Sequence, residues 1–390
     1  MHVLFIPSAY PTKENPLSSI FYKEQALAIK DADNKVGVIF AETRRVSKIN
    51  YNMLKNNHFQ IKRYNENGLI TYRLHGWNIF TMRGPLGINF WVKQSLKLFE
   101  QYITTEGIPD IIHVHSALYG GLVGKEIKRI YNIPYVITEH SSAVLQKILR
   151  EHDIPILESV YNNSNHIISV GKALKKAIGE YTEKSIDVIP NIVDINRFSI
   201  NKKENDNFTF ISICHLKENK NVDLTIKAFY EVVKKYKNGR LLIVGDGPER
   251  QNLTNLVSGL GIQNNIEFVG AVSRENLNKY INRADAFVLP SKYETFGIAY
   301  IEALACGIPI ITSKCGGPED FFCDDIGYMI SLDKDNDLKD AMLSIIENID
   351  KFDSYKLRLH VESRFSKEVV ADKIIKAYRQ VLSMNGDNNE

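Results

Sequence analysis

Short apolar runs recur along the chain, separated by stretches with helical spacing. The runs are Val3–Ile6, Val36–Phe40, Asp110–His115, Tyr135–His140, Ile167–Val170, Asp187–Asp194, Phe208–Ile213, Leu241–Val244, Ile266–Val269, Ala286–Pro290 and Ile308–Thr312. Each is near-continuously apolar at strand length, the pattern of a strand buried on both faces. Between them, apolar positions fall three and four apart. Phe21, Gln25, Ala28 and Ile29 share one helical face, and a helix starts near Asp223. Ile298, Ile301 and Ala305 share another, and Gly307 followed by Pro309 closes that helix. A last helix from about Lys367 to Leu382 carries Val369, Val370, Ile374, Ala377, Tyr378 and Val381. Strands alternating with helices predict an α/β fold with parallel sheets.

A chain of 390 residues is too long for one ordinary core. The polar stretch Asn201–Asn207 reads as a linker. The expected organisation is two Rossmann-like, doubly wound parallel-sheet domains facing a cleft, residues 1–200 and 201–367. A C-terminal helical segment, 368–390, follows, with its tail from Asn385 expected to be disordered.

Composition changes this picture little. Apolar content of 44% and charged content of 24% are globular values, and a net charge of +3 calls for no nucleic-acid partner. Charge placement matters more. Residues 44–97 contain ten basic side chains (Arg44, Arg45, Lys48, Lys55, Lys62, Arg63, Arg73, Arg83, Lys93, Lys97) and one acid, Glu66, a net of +9 that leaves −6 for the rest. Tyr51, Phe59, Tyr64, Tyr72, Trp77, Phe80, Phe90 and Trp91 are interleaved with them. Such a surface suits an anionic membrane or a phosphate-bearing acceptor; a solvated basic face over core aromatics is the other reading. The four cysteines, Cys214, Cys306, Cys315 and Cys323, form no Cys-x-x-Cys pair. That suggests a reduced, cytoplasmic protein without a metal site. Residues 1–6 run into a strand and lack a signal-peptide pattern, and no stretch approaches the ~20 apolar residues of a membrane span. Membrane contact is therefore expected only peripherally, on the inner face of the plasma membrane.

Candidate chemistry gathers after the run 286–290. Glu294 lies in the loop at that strand's carboxyl end and Glu302 on the following helix. The amides of Phe296, Gly297 and Ile298 open the helix unpaired, and Gly297 admits a ligand close to the backbone. Amides suit a diphosphate and carboxylates suit hydroxyls. His113 and His115 alternate on one strand face, where a structural role is expected, and His140 ends the next strand at a ligand crevice. No Asp-x-Asp pair appears, and the first loop lacks the Gly-x-Gly-x-x-Gly of a dinucleotide-binding dehydrogenase.

The string Glu294, Phe296, Gly297, Glu302, Gly307, Pro309 resembles the hallmark of the family 4 retaining glycosyltransferases of the two-domain GT-B fold: two glutamates separated by seven residues, with Phe-Gly after the first and Gly-x-Pro after the second. Pro190, Asn191, Val193 and Asp194 resemble that family's Pro-Asn-Gly-Val-Asp element, with Ile192 replacing glycine. The resemblance implies a sugar transferred from a nucleotide sugar, UDP- or GDP-linked, to a glycan or lipid-linked acceptor in bacterial surface polysaccharide synthesis. No metal or cofactor is implied. The first domain would bind acceptor, the second donor, and the last helix would cross back onto the first.

By the same resemblance, Glu294, His140 and Lys220 would be catalytic. Donor contacts would come from His215, Lys220, Gly270, Val272, Glu294, Phe296, Gly297, Ile298, Glu302, Asn191, Ser18 and Ser19. The family's arginine position holds His215, and its paired glycines in the first loop are Ser18 and Ser19. Two other functions fit the same motifs: a nucleotide-sugar epimerase or hydrolase, and a non-catalytic partner subunit that keeps a donor site.

Overall fold

The computed structural model of the chain describes residues 1–12, 19–46, 49, 51–56, 58–78, 80, 84–201 and 207–386. The chain divides into two compact units. Residues 1–170, 174–192 and 370–390 form the first; residues 171–173 and 193–369 form the second. The division falls at Ile192/Val193, before the polar stretch at 201–207. The reason is packing: Ile189 and Ile192 belong to the first unit's core. From Val193 onward the backbone is held by the second unit, with Val193 N donating to Phe365 O at 3.0 Å and the Arg358 guanidinium donating to the Phe198 carbonyl at 2.6 Å.

Among the described residues the first unit carries eight strands: β1 (His2–Pro7), β2 (Lys35–Arg45), β3 (Gln60–Glu66), β4 (Leu69–Asn78), β5 (Ile111–His115), β6 (Tyr135–Glu139), β7 (His166–Ser169) and β8 (Ile186–Val188). Their order is β3-β4-β2-β1-β5-β6-β7-β8. All neighbours are parallel except β3 and β4, an antiparallel hairpin turned by Asn67 and Gly68, both at positive φ. The continuous burial of β1, β5 and β6 follows from helices packing on the sheet. Helix Ile20–Asp31 supplies Tyr22, Ala26 and Ile29 to one core, and the last helix, Lys367–Gly386, supplies Val370, Ile374, Tyr378 and Val381 to the same core. That helix runs past Leu382, through the residues expected to begin a disordered tail.

The second unit carries β9 (Thr209–Ile213), β10 (Arg240–Val244), β11 (Ile266–Gly270), β12 (Ala286–Leu289), β13 (Ile310–Ser313) and β14 (Gly327–Ile330), all parallel, in the order β11-β10-β9-β12-β13-β14. In each unit the chain steps outward from a central strand and then returns to its other side. The reversal falls between β1 and β5 in the first unit and between β9 and β12 in the second. Loops at the carboxyl ends of those strand pairs splay apart and form the natural ligand crevice.

The basic stretch 44–97 is only partly a basic surface. Arg73 is buried and pairs with Glu66 at 2.8 Å, and its other amino group lies 3.6 Å from Glu42. Arg63 pairs with Glu106 at 2.8 Å and Arg44 with Glu42 at 3.4 Å. Tyr72, Trp77 and Trp91 are core residues, while Tyr51, Phe59 and Phe80 are exposed. Two of these partners, Glu42 and Glu106, lie just outside the counted window, so the window overstates the free charge. Lys48 and Arg83 lie outside the described residues.

Candidate active site

In the second unit, the switch point between β9 and β12 brings two predicted residues together. Lys220 comes from the loop after β9 and Glu294 from the loop after β12; Lys220 Nζ donates to Glu294 Oε1 at 2.6 Å. Ser291 Oγ donates to the same oxygen at 2.9 Å. Both side chains are largely but not wholly buried, at 19% and 14% exposure. The two loops are tied to each other: Asn221 Nδ2 donates to Pro290 O at 2.8 Å, and Lys292 N donates to Asn219 O at 2.8 Å. Glu294 N in turn donates to Cys315 O at 2.8 Å, beyond β13. A cation and a carboxylate are thus fixed by backbone on three loops.

Helix Ile298–Ala305 starts immediately after this carboxylate. Gly297 caps it in the left-handed region, φ 94°. A Cβ there would stand 2.6 Å from the Tyr300 ring, which is itself anchored by its hydroxyl donating to Leu289 O at 2.7 Å. Phe296 packs against Phe321 and Phe365, so its ring belongs to the core. Among the described residues, no protein acceptor takes the amides of Phe296, Gly297 or Ile298. Gly307, at φ 75°, ends the helix as expected.

Glu302 is buried on this helix and accepts a short hydrogen bond from Arg274 through Oε1. Burial pushes its carboxyl above the usual range, and the Arg274 guanidinium pulls it back. Arg274 opens the helix after β11, two and four residues beyond Val272 and Gly270, which line the same strand end. Sequence reasoning missed Arg274. Its signal was faint: a helix-opening basic residue one turn from the β11 loop. Gly270 takes φ 83° with open space beside it, and Val272 is half-buried.

His215 is exposed, and its Nδ1 lies 2.5 Å from Asp246 O. A carbonyl only accepts, so Nδ1 carries a proton and donates it to Asp246 O. Cys214, Cys306 and Cys315 are each pushed by burial to about 12, which leaves no thiolate nucleophile at these three positions. No group of three His, Cys, Asp or Glu side chains among the described residues is arranged to hold a metal ion.

The remaining predicted residues belong to the first unit. His140 Nε2 and His115 Nδ1 are 3.1 Å apart, one donating to the other. His113 bonds Tyr378 on the last helix and, at 2.7 Å, the Thr138 hydroxyl. Burial pulls His113 and His140 down to about 3 and His115 well down, so all three rings are neutral near pH 7. His140 Nδ1 and His115 Nε2 find no hydrogen-bond partner among the described residues. The loop holding His140 is fixed by buried Glu139, which accepts from the amides of His140, Ser141 and Ala117 and from the Tyr161 hydroxyl, at 2.8–2.9 Å. Sequence reasoning did not single out Glu139 either. Asn191 is buried, and Ser19 stands at φ 50° before helix Ile20–Asp31. Ser18 lies outside the described residues.

Fold and site together define a glycosyltransferase of the GT-B class, and comparison with known proteins agrees. The chain belongs to the group 1, family 4 glycosyltransferases: the profile "Glycosyltransferase Family 4" matches residues 26–197, and "Glycosyl transferases group 1" matches residues 193–358. A sequence relative is the alpha-monoglucosyldiacylglycerol synthase of Acholeplasma laidlawii, 24% identical over 305 residues that span 71% of this chain and 76% of that one. Among solved structures, the sucrose-phosphate synthase of Thermosynechococcus elongatus superposes with a TM-score of 0.77 at 20% identity, covering 98% of this chain and 100% of that one. The Anabaena protein HepE, solved with UDP and glucose, superposes with a TM-score of 0.71 at 18% identity over 97% and 99%.

Proposed function

We propose that this glycosyltransferase is a retaining enzyme that moves a sugar from a UDP- or GDP-sugar to a glycan or lipid-linked acceptor, in the synthesis of a surface polysaccharide. The observation that carries the reading is the Lys220–Glu294 pair at the switch point beside three unpaired helix amides. A leaving diphosphate gains negative charge as the sugar bond breaks, and a fixed ammonium with preorganised amides stabilises it best. Lys220 places its amino group there, and the reading is of transfer without a metal or other cofactor. HepE was solved with UDP and glucose, which favours a UDP-linked donor.

Glu294 Oε1 is committed to Lys220 and Ser291, which suits binding of the transferred sugar's hydroxyls better than nucleophilic attack. Retention then follows from front-face displacement. The acceptor oxygen bonds to the anomeric carbon on the side from which the phosphate oxygen departs, and that phosphate takes the acceptor's proton. The protein's part is positioning and charge stabilisation. His140, kept neutral by burial, does not act as a cation.

The acceptor side favours a membrane surface. Loops following β2 and β4 expose Val46, Ile49, Tyr51, Leu54, Phe59 and Phe80 together with Lys55. The Acholeplasma relative is named for a diacylglycerol product. No helix among the described residues is long and apolar enough to cross a membrane; the contact proposed is peripheral, on the cytoplasmic face. The test is proton NMR of donor turnover with octyl-glycoside and lipid-phosphate acceptors in EDTA. An α-linked donor is expected to give an α-linked product. Inversion, or activity that EDTA abolishes and manganese restores, overturns the proposal. Equal sedimentation with neutral and anionic vesicles removes the membrane contact alone.

A further inference from the structure

A buried carboxylate is a poor acceptor unless something keeps it charged and in place. Glu302 is only 4% exposed, and its Oε1 takes the Arg274 guanidinium. The two come from different elements, Glu302 from helix Ile298–Ala305 and Arg274 from the first turn of helix Arg274–Ile281. Both side chains are nearly enclosed, at 13% for Arg274 and 6% for Glu302. The arginine follows the β11 loop, which holds Gly270 in the left-handed region. We propose that Arg274 is a positioning residue for donor recognition, holding the Glu302 carboxylate so that its second oxygen, Oε2, accepts the ribose hydroxyls of the nucleotide. This rests on the donor-site reading given above.

The geometry supports the assignment in two ways. A guanidinium is planar and permanently charged, so it fixes the carboxylate's plane as well as its charge. The charged groups that act on Glu302 are few: Arg274 first, then Arg197 from the segment Ile195–Arg197, with the buried Cys306 thiol on the carboxylate's own helix end. Removing Arg274 leaves a buried carboxyl with only the weaker influence of Arg197. It then takes up a proton as pH falls, and the charge-assisted hydrogen bonds to ribose are lost with it.

Binding of UDP and GDP, and of their 2′-deoxy and 3′-deoxy forms, to wild type, Arg274→Met, Arg274→Lys and Glu302→Gln tests this by calorimetry. The wild type is expected to prefer the ribonucleotide about tenfold over each deoxy form. In Arg274→Met that preference should fall below threefold, and it should shrink further from pH 8 to pH 6 while the wild-type preference stays constant; the ratio of ribo to deoxy affinity cancels the titration of the nucleotide's own phosphate. Arg274→Lys should recover part of the preference, and Glu302→Gln should lose it at every pH. A loss in Arg274→Met that is equal for ribo and deoxy forms, and independent of pH, overturns the inference. So does a Glu302→Gln variant that keeps the ribose preference, which is the deciding arm if Arg274→Met fails to fold. A wild type that binds neither nucleotide defeats the donor-site reading itself.

Discussion

Replacing Glu294 with glutamine separates the two jobs assigned to this carboxylate. In the unliganded protein its Oε1 neutralises Lys220 at 2.6 Å. A phosphate oxygen bound on the other side of Nζ, at an ordinary ~2.8 Å, stands about 5 Å from Glu294. At that separation, and at an effective dielectric of about 20, two like charges repel by roughly 3 kcal/mol. Because neither side chain is fully buried, screening trims this to about 1–2 kcal/mol. Glu294→Gln keeps the shape and the Ser291 contact but removes the repulsion. Sugar-free UDP or GDP should therefore bind about 5- to 30-fold tighter. Sugar transfer should move the other way and fall at least 100-fold, because with its oxygen kept on Lys220 and Ser291 the amide turns an NH2 donor to the place where the carboxylate offers a charged acceptor. Calorimetry with the free nucleotide and turnover with the nucleotide sugar read the two effects independently. Unchanged nucleotide affinity together with unchanged turnover would refute the reasoning, since neither the charge nor the acceptor would then face a ligand.

His215→Arg should tighten diphosphate binding by about 5- to 30-fold at pH 8, because it replaces a ring whose only fixed proton is committed to Asp246 O with permanent donors; calorimetry showing no gain means that this position does not face phosphate. Gly297→Ala should lower stability by roughly 1–3 kcal/mol and weaken nucleotide binding, since a Cβ at φ 94° meets the Tyr300 ring at 2.6 Å; a thermal melt within 1 °C of wild type would contradict it. Acid should destabilise the first unit. His113 and His140 are held near 3 in the folded protein, whereas the unfolded chain takes up their protons below about 6.5. Stability is then fully present above that pH and declines as pH falls toward 3, by up to about 1.4 kcal/mol per unit for a ring as enclosed as His113. Urea midpoints that agree at pH 7.5 and pH 5 would exclude this.

Most parallel strands and the helix at Ile298 were legible because they are buried on both faces and leave continuous apolar runs or clean helical spacing. The β3–β4 hairpin was not, because Gln60–Glu66 is half-exposed and polar along its length, and the Asn67–Gly68 turn between the two strands was its one strong local signal. Charge counting along a window misjudged Arg63 and Arg73 because ion pairs form across strands, where sequence distance carries no information. The seam between units was placed at the polar stretch near 201, but it falls at Ile192 and Val193, where Ile192 joins the first unit's core and Val193 N donates to Phe365 O of the second. At the candidate site, Glu294, Lys220 and the amides after Gly297 could be named from a motif. Arg274 and Glu139 act by holding other side chains, and their partners lie 28 and 22 residues away in sequence, so only the fold brings them into view.

The most direct test of the account is calorimetric titration of UDP and GDP, in EDTA, into wild type and Lys220→Met. The account predicts that one nucleotide binds the wild type and that the variant loses at least tenfold in affinity. Equal affinity in both proteins, or no binding of either nucleotide to the wild type, would contradict a donor site built on Lys220.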